Sequence, residues 1–166
     1  MKISIVGGTG FVGTFLSRHL LQSGHEVTVF GRRPHFGHSG EARLEFISAD
    51  TTLKGSWQNA LSGAAAVVNL AGCTIFQRWT SQYREKIRDS RILTTRNVVE
   101  ALAEGGESLL INASGTGYYG DRADHVLTEQ EPNGDDFLAS LARDWEAEAL
   151  KAREKGARVA IARFGV

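Results

Sequence analysis

The sequence is poor in the residues that several whole classes of protein require. Among 166 residues there is one cysteine, Cys73, so no intramolecular disulfide can form and no cysteine-based zinc site can be built from this chain alone. That suits a reducing compartment, and a cytoplasmic location is the expectation. Charge of one sign is lacking too: 19 Lys+Arg balance 19 Asp+Glu, for a formal net charge of zero. Nucleic acid and anionic membranes favour basic clusters, so neither is expected as a partner. No apolar run approaches the roughly 20 residues needed to span a bilayer. The short apolar start, Met1-Lys2-Ile3-Ser4-Ile5-Val6, reaches glycine too soon to be the core of a signal peptide. His19, His25, His35, His38 and His125 show no metal-ligand spacing beside carboxylates, so no metal is expected.

What is present is a regular alternation. Strand-like apolar runs at 3–6, 26–30, 44–48, 65–70, 109–113 and 158–164 are separated by helical patterns at 11–22, 81–103 and about 136–155. Most of the strands are apolar in succession, as parallel strands covered on both faces are. The rhythm predicts an α/β fold with a doubly wound parallel sheet of the Rossmann kind, in strand order 3-2-1-4-5-6. Three stretches interrupt it: 31–41, 73–80 and 114–136. The last is far longer than an ordinary connection, which marks it as functional or mobile.

The first strand runs into Gly7-Gly8-Thr9-Gly10-Phe11-Val12-Gly13, and a helix follows at once. In this G-x-x-G-x-x-G spacing Gly7 permits a tight turn, Gly10 lets backbone approach a pyrophosphate, and Gly13 lets the helix pack closely on the sheet. The helix N-terminus offers unpaired N–H donors to the phosphates. Within a single β-α-β unit this is a strong sign of a dinucleotide site. The second strand ends at Phe30 and is followed by Gly31-Arg32-Arg33, where an NAD-preferring domain places a carboxylate for the ribose hydroxyls. Two guanidinium groups there match a 2′-phosphate, so NADP is the expected cofactor in preference to NAD. The alternative is two solvated loop arginines.

At this point the residues resemble a known group. The glycine turn, Asp50 after the third strand and Asn69-Leu70-Ala71-Gly72 after the fourth are similar to the extended short-chain dehydrogenase/reductases. The stretches through Arg78-Trp79, Ser90-Arg91, Thr95, Ser114 to Tyr118-Tyr119, and Trp145-Glu146 resemble the sugar-epimerase-like branch of that superfamily. The resemblance implies that Asp50 lies near the adenine, that Leu70, Ala71 and Gly72 lie along the dinucleotide, and that Ser114 approaches the nicotinamide. Asp50 read on its own could equally cap the segment after it. Cys73 stands where many relatives carry an acid. Family members continue into a further substrate-binding region, so residues 1–166 read as the cofactor-binding portion of a larger protein. Apolar side chains at its final strand, Phe164 and Val166, would then lack cover, and self-association as a homo-oligomer is expected.

The superfamily's working pair, Tyr-x-x-x-Lys, is missing. The tyrosines are Tyr83, Tyr118 and Tyr119, none stands four before a lysine, and Leu138 and Ala142 occupy the matching places ahead of Glu146. An unassisted tyrosine of pKa ~10 is about one part in a thousand ionised at neutral pH. What remains is Ser114, Tyr118 and Tyr119 on the turn leaving the fifth strand, with a tyrosine serving as acid if Arg91 or Arg163 lies beside it. The alternative is one tyrosine anchoring the loop and the other facing solvent. Arg78 and Trp79 form a candidate substrate-facing pair, though a loop tryptophan also serves as a packing anchor. The reading is an NADP-dependent oxidoreductase or epimerase-like protein acting on a small, sugar-nucleotide-like hydroxyl or keto substrate. Its rival is a catalytically silent domain binding NADP as a redox sensor or structural ligand.

Overall fold

The computed structural model describes residues 1–32 and 41–165. Its elements run β1 (Lys2–Val6), α1 (Phe11–Gln22), β2 (Glu26–Gly31), β3 (Leu44–Ser48), a short 3-10 helix (Ser56–Leu61), β4 (Ala66–Asn69), α2 (Ser81–Ala101), β5 (Leu109–Gly115), a 3-10 turn (Thr116–Tyr119), α3 (Phe137–Leu150), a further 3-10 turn (Lys151–Lys155) and β6 (Arg158–Phe164). Every pairing is parallel, in the order β3-β2-β1-β4-β5-β6. The expected order of strands is therefore present. β1 and β2 are buried almost throughout, Ser4 and Thr28 included, whereas edge strands β3 and β6 are only partly buried.

The sheet is covered on both faces. Ile3, Ile5, Val27 and Val29 pack with Leu16, Leu20 and Leu21 of α1. On the other face Val6, Phe30, Val67 and Leu110 pack with Trp57, with Val98 and Leu102 at the end of α2, and with Ala149 and Ala152. The helix expected over 136–155 is α-helical only to Leu150. Its last turn tightens to 3-10 and closes on Gly156, whose φ of 89° supplies the left-handed residue that ends many helices. α2 stops at Ala101, before the expected 103, because the chain turns extended at Leu102. There Lys155 donates from Nζ to the carbonyls of Glu100 (2.9 Å) and Leu102 (2.8 Å), a cation on the negative helix end.

Helices α2 and α3 are also joined by charge. The Glu148 carboxylate accepts from Arg96 Nε (3.2 Å) and Nη2 (3.3 Å) and from Lys151 Nζ (3.0 Å). Burial pushes the Glu148 carboxyl up, but Arg96 and Lys151 outweigh it and hold it below the ordinary glutamate range. Because the folded-state value is the lower one, the stability this group confers is complete above the unfolded glutamate value of about 4.3 and is lost as pH falls through the folded value. Urea unfolding between pH 7 and pH 3 should therefore show a steeper acid loss for the parent chain than for Glu148→Gln. Identical pH profiles would show that the network is screened by solvent.

The long segment 114–136 is tied at both ends. Gly134 N–H donates to the Tyr118 carbonyl (2.9 Å), Asn133 Nδ2 donates to the carbonyls of Tyr118 (2.7 Å) and Ala139 (2.8 Å), and Arg122 Nε donates to the Tyr119 carbonyl (3.0 Å). These bonds hold the turn after β5 against the start of α3. Phe164 is 42% exposed at the end of β6, and Val166, expected to be bare with it, lies outside the described residues. No helix among the described residues is long and apolar enough to cross a membrane.

Candidate functional site

The groove begins at the carboxyl ends of β1 and β4, where the strand order reverses direction and open α/β sheets place their ligands. Gly7 turns with φ of 75°, and a Cβ on it would fall 2.8 Å from the Ala71 backbone. The turn after β1 thus lies directly on the turn after β4, which brings Gly7, Thr9 and Gly10 to the same groove as Leu70, Ala71 and Gly72. At Gly10 a Cβ would meet nothing closer than the Gly7 carbonyl at 3.5 Å, leaving room for a ligand to approach the backbone. At Gly13 the close approach is to the turn itself. The missing Cβ would come within 2.4 Å of Gly8 Cα, so at Gly13 helix α1 meets the glycine turn, while Leu16, Leu20 and Leu21 pack it on the sheet. Gly8, which the spacing rule skips, is confined as well, since a Cβ on it would fall 2.8 Å from Val29 Cγ1.

The other turn residues divide by atom. Phe11 is 81% exposed and Val12 also points outward, so neither side chain lines the groove. Their N–H groups stand in the first turn of α1, whose N-cap, Gly10, has no side chain to cap them. Arg32 lines the groove beyond β2, facing Asp50 from β3. Arg33 lies outside the described residues. Asp50 accepts from the Thr52 hydroxyl (2.7 Å) and N–H (3.1 Å), so it caps its own turn while lining the groove. The bonds from Thr52 lead the influences on its carboxyl, and with the Arg32 charge they outweigh partial burial and hold it below the ordinary aspartate range. The groove, of about 550 Å³, has a second wall that sequence reasoning missed, made by Gln82, Glu85, Lys86 and Asp89 of α2. Their i, i+3, i+4, i+7 spacing was visible, but a polar helical stripe reads the same whether it faces a ligand or solvent.

A second cavity, of about 310 Å³, opens beside the turn after β5. Its lining includes Arg91, Ser114, Tyr118, Leu138, Ala142 and Trp145. Below it a buried polar network fixes the strand ends. Asn69 Nδ2 donates to Asn112 Oδ1 (2.7 Å) and Thr95 Oγ1 (2.8 Å), Trp145 Nε1 donates to Thr95 Oγ1 (2.8 Å), and the Ala71 N–H donates to Asn69 Oδ1 (3.2 Å). Ser114 Oγ donates to Glu146 Oε1 at 2.6 Å. Arg163 grips the same carboxylate with two 2.8 Å bonds and donates through Nη1 to the Tyr119 hydroxyl, also at 2.8 Å. Its guanidinium lies 3.6 Å from the ring centroid of Tyr118.

The structure thus separates the two tyrosines. Tyr119 is 5% exposed and anchors Arg163, while Tyr118 borders the cavity and its hydroxyl has no hydrogen-bond partner among the described residues. Arg163, not Arg91, is the cation beside them. Leu138 and Ala142 face the cavity from α3, so the place of the absent tyrosine–lysine pair is apolar. Arg78 and Trp79 line neither the groove nor the cavity. Arg78 is exposed, and Trp79 donates from Nε1 to the Ile75 carbonyl (2.8 Å) and meets Phe137 edge-on, as a packing anchor does. Glu146 was visible in the sequence only as part of a family likeness. Its contact with Ser114 spans 32 residues and exists only once α3 has docked on β5.

Comparison with known proteins agrees with this architecture. The "Epimerase family protein SDR39U1 homolog, chloroplastic" of Arabidopsis thaliana is 36% identical over 170 residues, covering 100% of this chain and 49% of the relative. A crystal structure of human epimerase family protein SDR39U1 (isoform 2) with NADPH is 29% identical with a TM-score of 0.77, covering 98% of this chain and 53% of that one. MoeE5 in complex with UDP-glucuronic acid and NAD, at 22% identity and a TM-score of 0.82, shares the fold over 99% of this chain and 54% of its own. The chain spans about half the length of the curated relatives it matches. Residues 3–165 match the model of the NAD dependent epimerase/dehydratase family, and the chain belongs to that family.

Proposed function

We propose that this chain is the cofactor-binding part of an NADP-dependent oxidoreductase or epimerase-like enzyme that acts on a hydroxyl or keto carbon of a small molecule. The observation that carries the reading is the groove, in which an uncapped helix N-terminus and the open backbone at Gly10 stand together with Arg32. Those residues fit a dinucleotide phosphate by their donors and their lack of side chains. Arg32 would hold the 2′-phosphate, with Arg33 as its neighbour in sequence. The NADPH in the human relative supports the same choice. A substrate-binding region supplied by the remaining half of the full protein would close the cavity.

A bound nicotinamide would give or accept a hydride at the substrate carbon. The chain's own residues would manage the proton. Ser114 gives its hydrogen to Glu146, which leaves its Oγ lone pairs free to accept a substrate hydroxyl and orient it. Tyr118 offers the unpartnered hydroxyl at the cavity, and the Arg163 cation over its ring stands beside the negative charge that forms when that proton leaves. Arg163 is a positioning residue in this scheme, set by Glu146 and Tyr119.

NADPH should bind more tightly than NADH in parallel fluorescence titrations. In a full-length form assayed against a panel of carbonyl compounds, Tyr118→Phe should lower kcat by about 10²–10⁴-fold, the range of a lost proton-transfer group. Equal affinity for the two cofactors would remove the NADP reading, and an active Tyr118→Phe variant would remove Tyr118 from the chemistry. The apolar pair Leu138 and Ala142 favours the second reading, a catalytically silent NADP-binding domain. NADPH bound tightly but not oxidised by any member of the panel would favour it.

A further inference from the structure

Among the described residues, Arg91 in the middle of α2 is a cation without a carboxylate partner. Its guanidinium donates through Nη1 to the Ile87 carbonyl (3.0 Å) and through Nη2 to the Cys73 carbonyl (3.2 Å). It lies 5.3 Å from the Trp145 ring and packs so closely on Gly72 that a Cβ there would fall 3.0 Å from its Cζ. Among the described residues it takes part in none of the ion pairs, and the Cys73 side chain is its one further hydrogen-bond partner. Burial pulls its pKa below the ordinary arginine value, yet a guanidinium stays protonated at any physiological pH. A partly buried charge whose partners are two carbonyl dipoles and the Cys73 side chain, with no carboxylate among them, favours any ligand that brings the opposite charge.

That cation borders the cavity beside Ser114, and the rest of the wall is largely hydrocarbon, from Ile75, Leu138, Leu141, Ala142, Trp145 and Phe164. A pyranose carries a hydroxyl on nearly every ring carbon, and each must find a partner when it leaves water. Apart from Arg91, the side-chain groups able to serve there are the Ser114 and Thr116 hydroxyls and the Tyr118 phenol. The Ser114 hydrogen is already given to Glu146. The walls that this chain supplies are therefore poorly furnished for a sugar ring and well furnished for a flat or branched apolar body with one negative end.

We propose that this cavity takes a small organic acid, its carboxylate on Arg91 and its apolar or aromatic body against Leu138, Trp145 and Phe164. The inference rests on reading the site as the substrate cavity of a nicotinamide-dependent enzyme, and names its substrate class as a hydrophobic hydroxy or keto acid. Arginine recognises a carboxylate by charge-assisted hydrogen bonds, and the indole and phenyl faces supply area for a ring.

The test is calorimetric titration of the full-length protein, with and without saturating NADP⁺, against three probes: phenylacetate, the uncharged phenylacetamide, and glucuronate. Phenylacetate should bind at least tenfold more tightly than either of the others, and Arg91→Gln should erase the gap between acid and amide. Should Arg91→Gln fail to fold, the acid–amide comparison on the unaltered protein decides the same question. Equal affinities for acid and amide, a preference for glucuronate, or no binding of phenylacetate at millimolar concentration would each overturn the proposal. Absence of NADP⁺ binding in the same titrations would instead sink the cofactor reading, so the two failures are distinguishable.

Discussion

Replacing Glu146 by alanine is expected to cost about 3–5 kcal/mol of folding stability, the range found when one partner of a buried ion pair is removed. The carboxylate and the Arg163 side chain are 9% and 17% exposed, and they meet through two bonds of 2.8 Å. Without Glu146 the guanidinium keeps its burial and loses its counter-charge, and Ser114 loses the acceptor for its hydroxyl. Glu146 is also the largest influence holding the Arg163 guanidinium protonated, raising its pKa above the ordinary arginine value. For a domain of this size each kcal/mol lowers Tm by roughly 2–4 °C, so a fall of roughly 6–20 °C is expected by calorimetry. The double change Glu146→Leu with Arg163→Met should recover much of that loss, because a buried pair contributes little over hydrocarbon of similar volume. A loss below ~1 kcal/mol for Glu146→Ala would show that solvent screens the pair. Ser114 and Tyr118 would then lack the rigid support assigned to them.

Arg32→Ala is expected to weaken NADPH binding by about ten- to a hundredfold, or ~1.5–3 kcal/mol, and to leave NADH binding almost unchanged. The motive is position: Arg32 leaves β2 at the groove edge opposite Asp50, and no carboxylate precedes it after Val27. Asp50 Oδ1 accepts both bonds from Thr52, and among the described residues no ion pair joins Asp50 to Arg32. The cost should shrink as salt rises, since an exposed charge pair is screened. Parallel losses for both cofactors would mean that Arg32 shapes the groove without reading the 2′-phosphate.

How much of the molecule is legible in its sequence follows from the range of the interactions involved. Local chemistry is open to reading because its causes lie within a few residues. The strands β1 and β2 are short and mostly apolar, the glycine turn is seven adjacent residues, and Thr80 and Asp136 cap the helices that begin beside them. From these, the parallel sheet and its order follow by the general rules of β-α-β connection. The ends of α2 and α3 fall short of the expected ones because Lys155 and Gly156, over fifty residues from Ala101, help decide where the first one stops.

The sequence by itself determined the fold, the presence of the glycine turn, the cationic edge at Arg32 and the absence of a tyrosine–lysine pair, since each is a matter of pattern or of inventory. Only the tertiary structure decided which groups act together. It showed that Gly13 answers to Gly8, that Tyr119 is an anchor, that Trp79 serves packing, and that among the described residues Tyr118 has the unpartnered hydroxyl and Arg91 faces a cavity without a carboxylate. The physical reason is distance along the chain. Ser114 to Glu146 and Tyr119 to Arg163 are separated by 32 and 44 residues, and bonds of 2.6 and 2.8 Å between them are set by the docking of α3 and β6 on β5. No local preference of either residue encodes that meeting, because burial of the apolar faces around them brings it about.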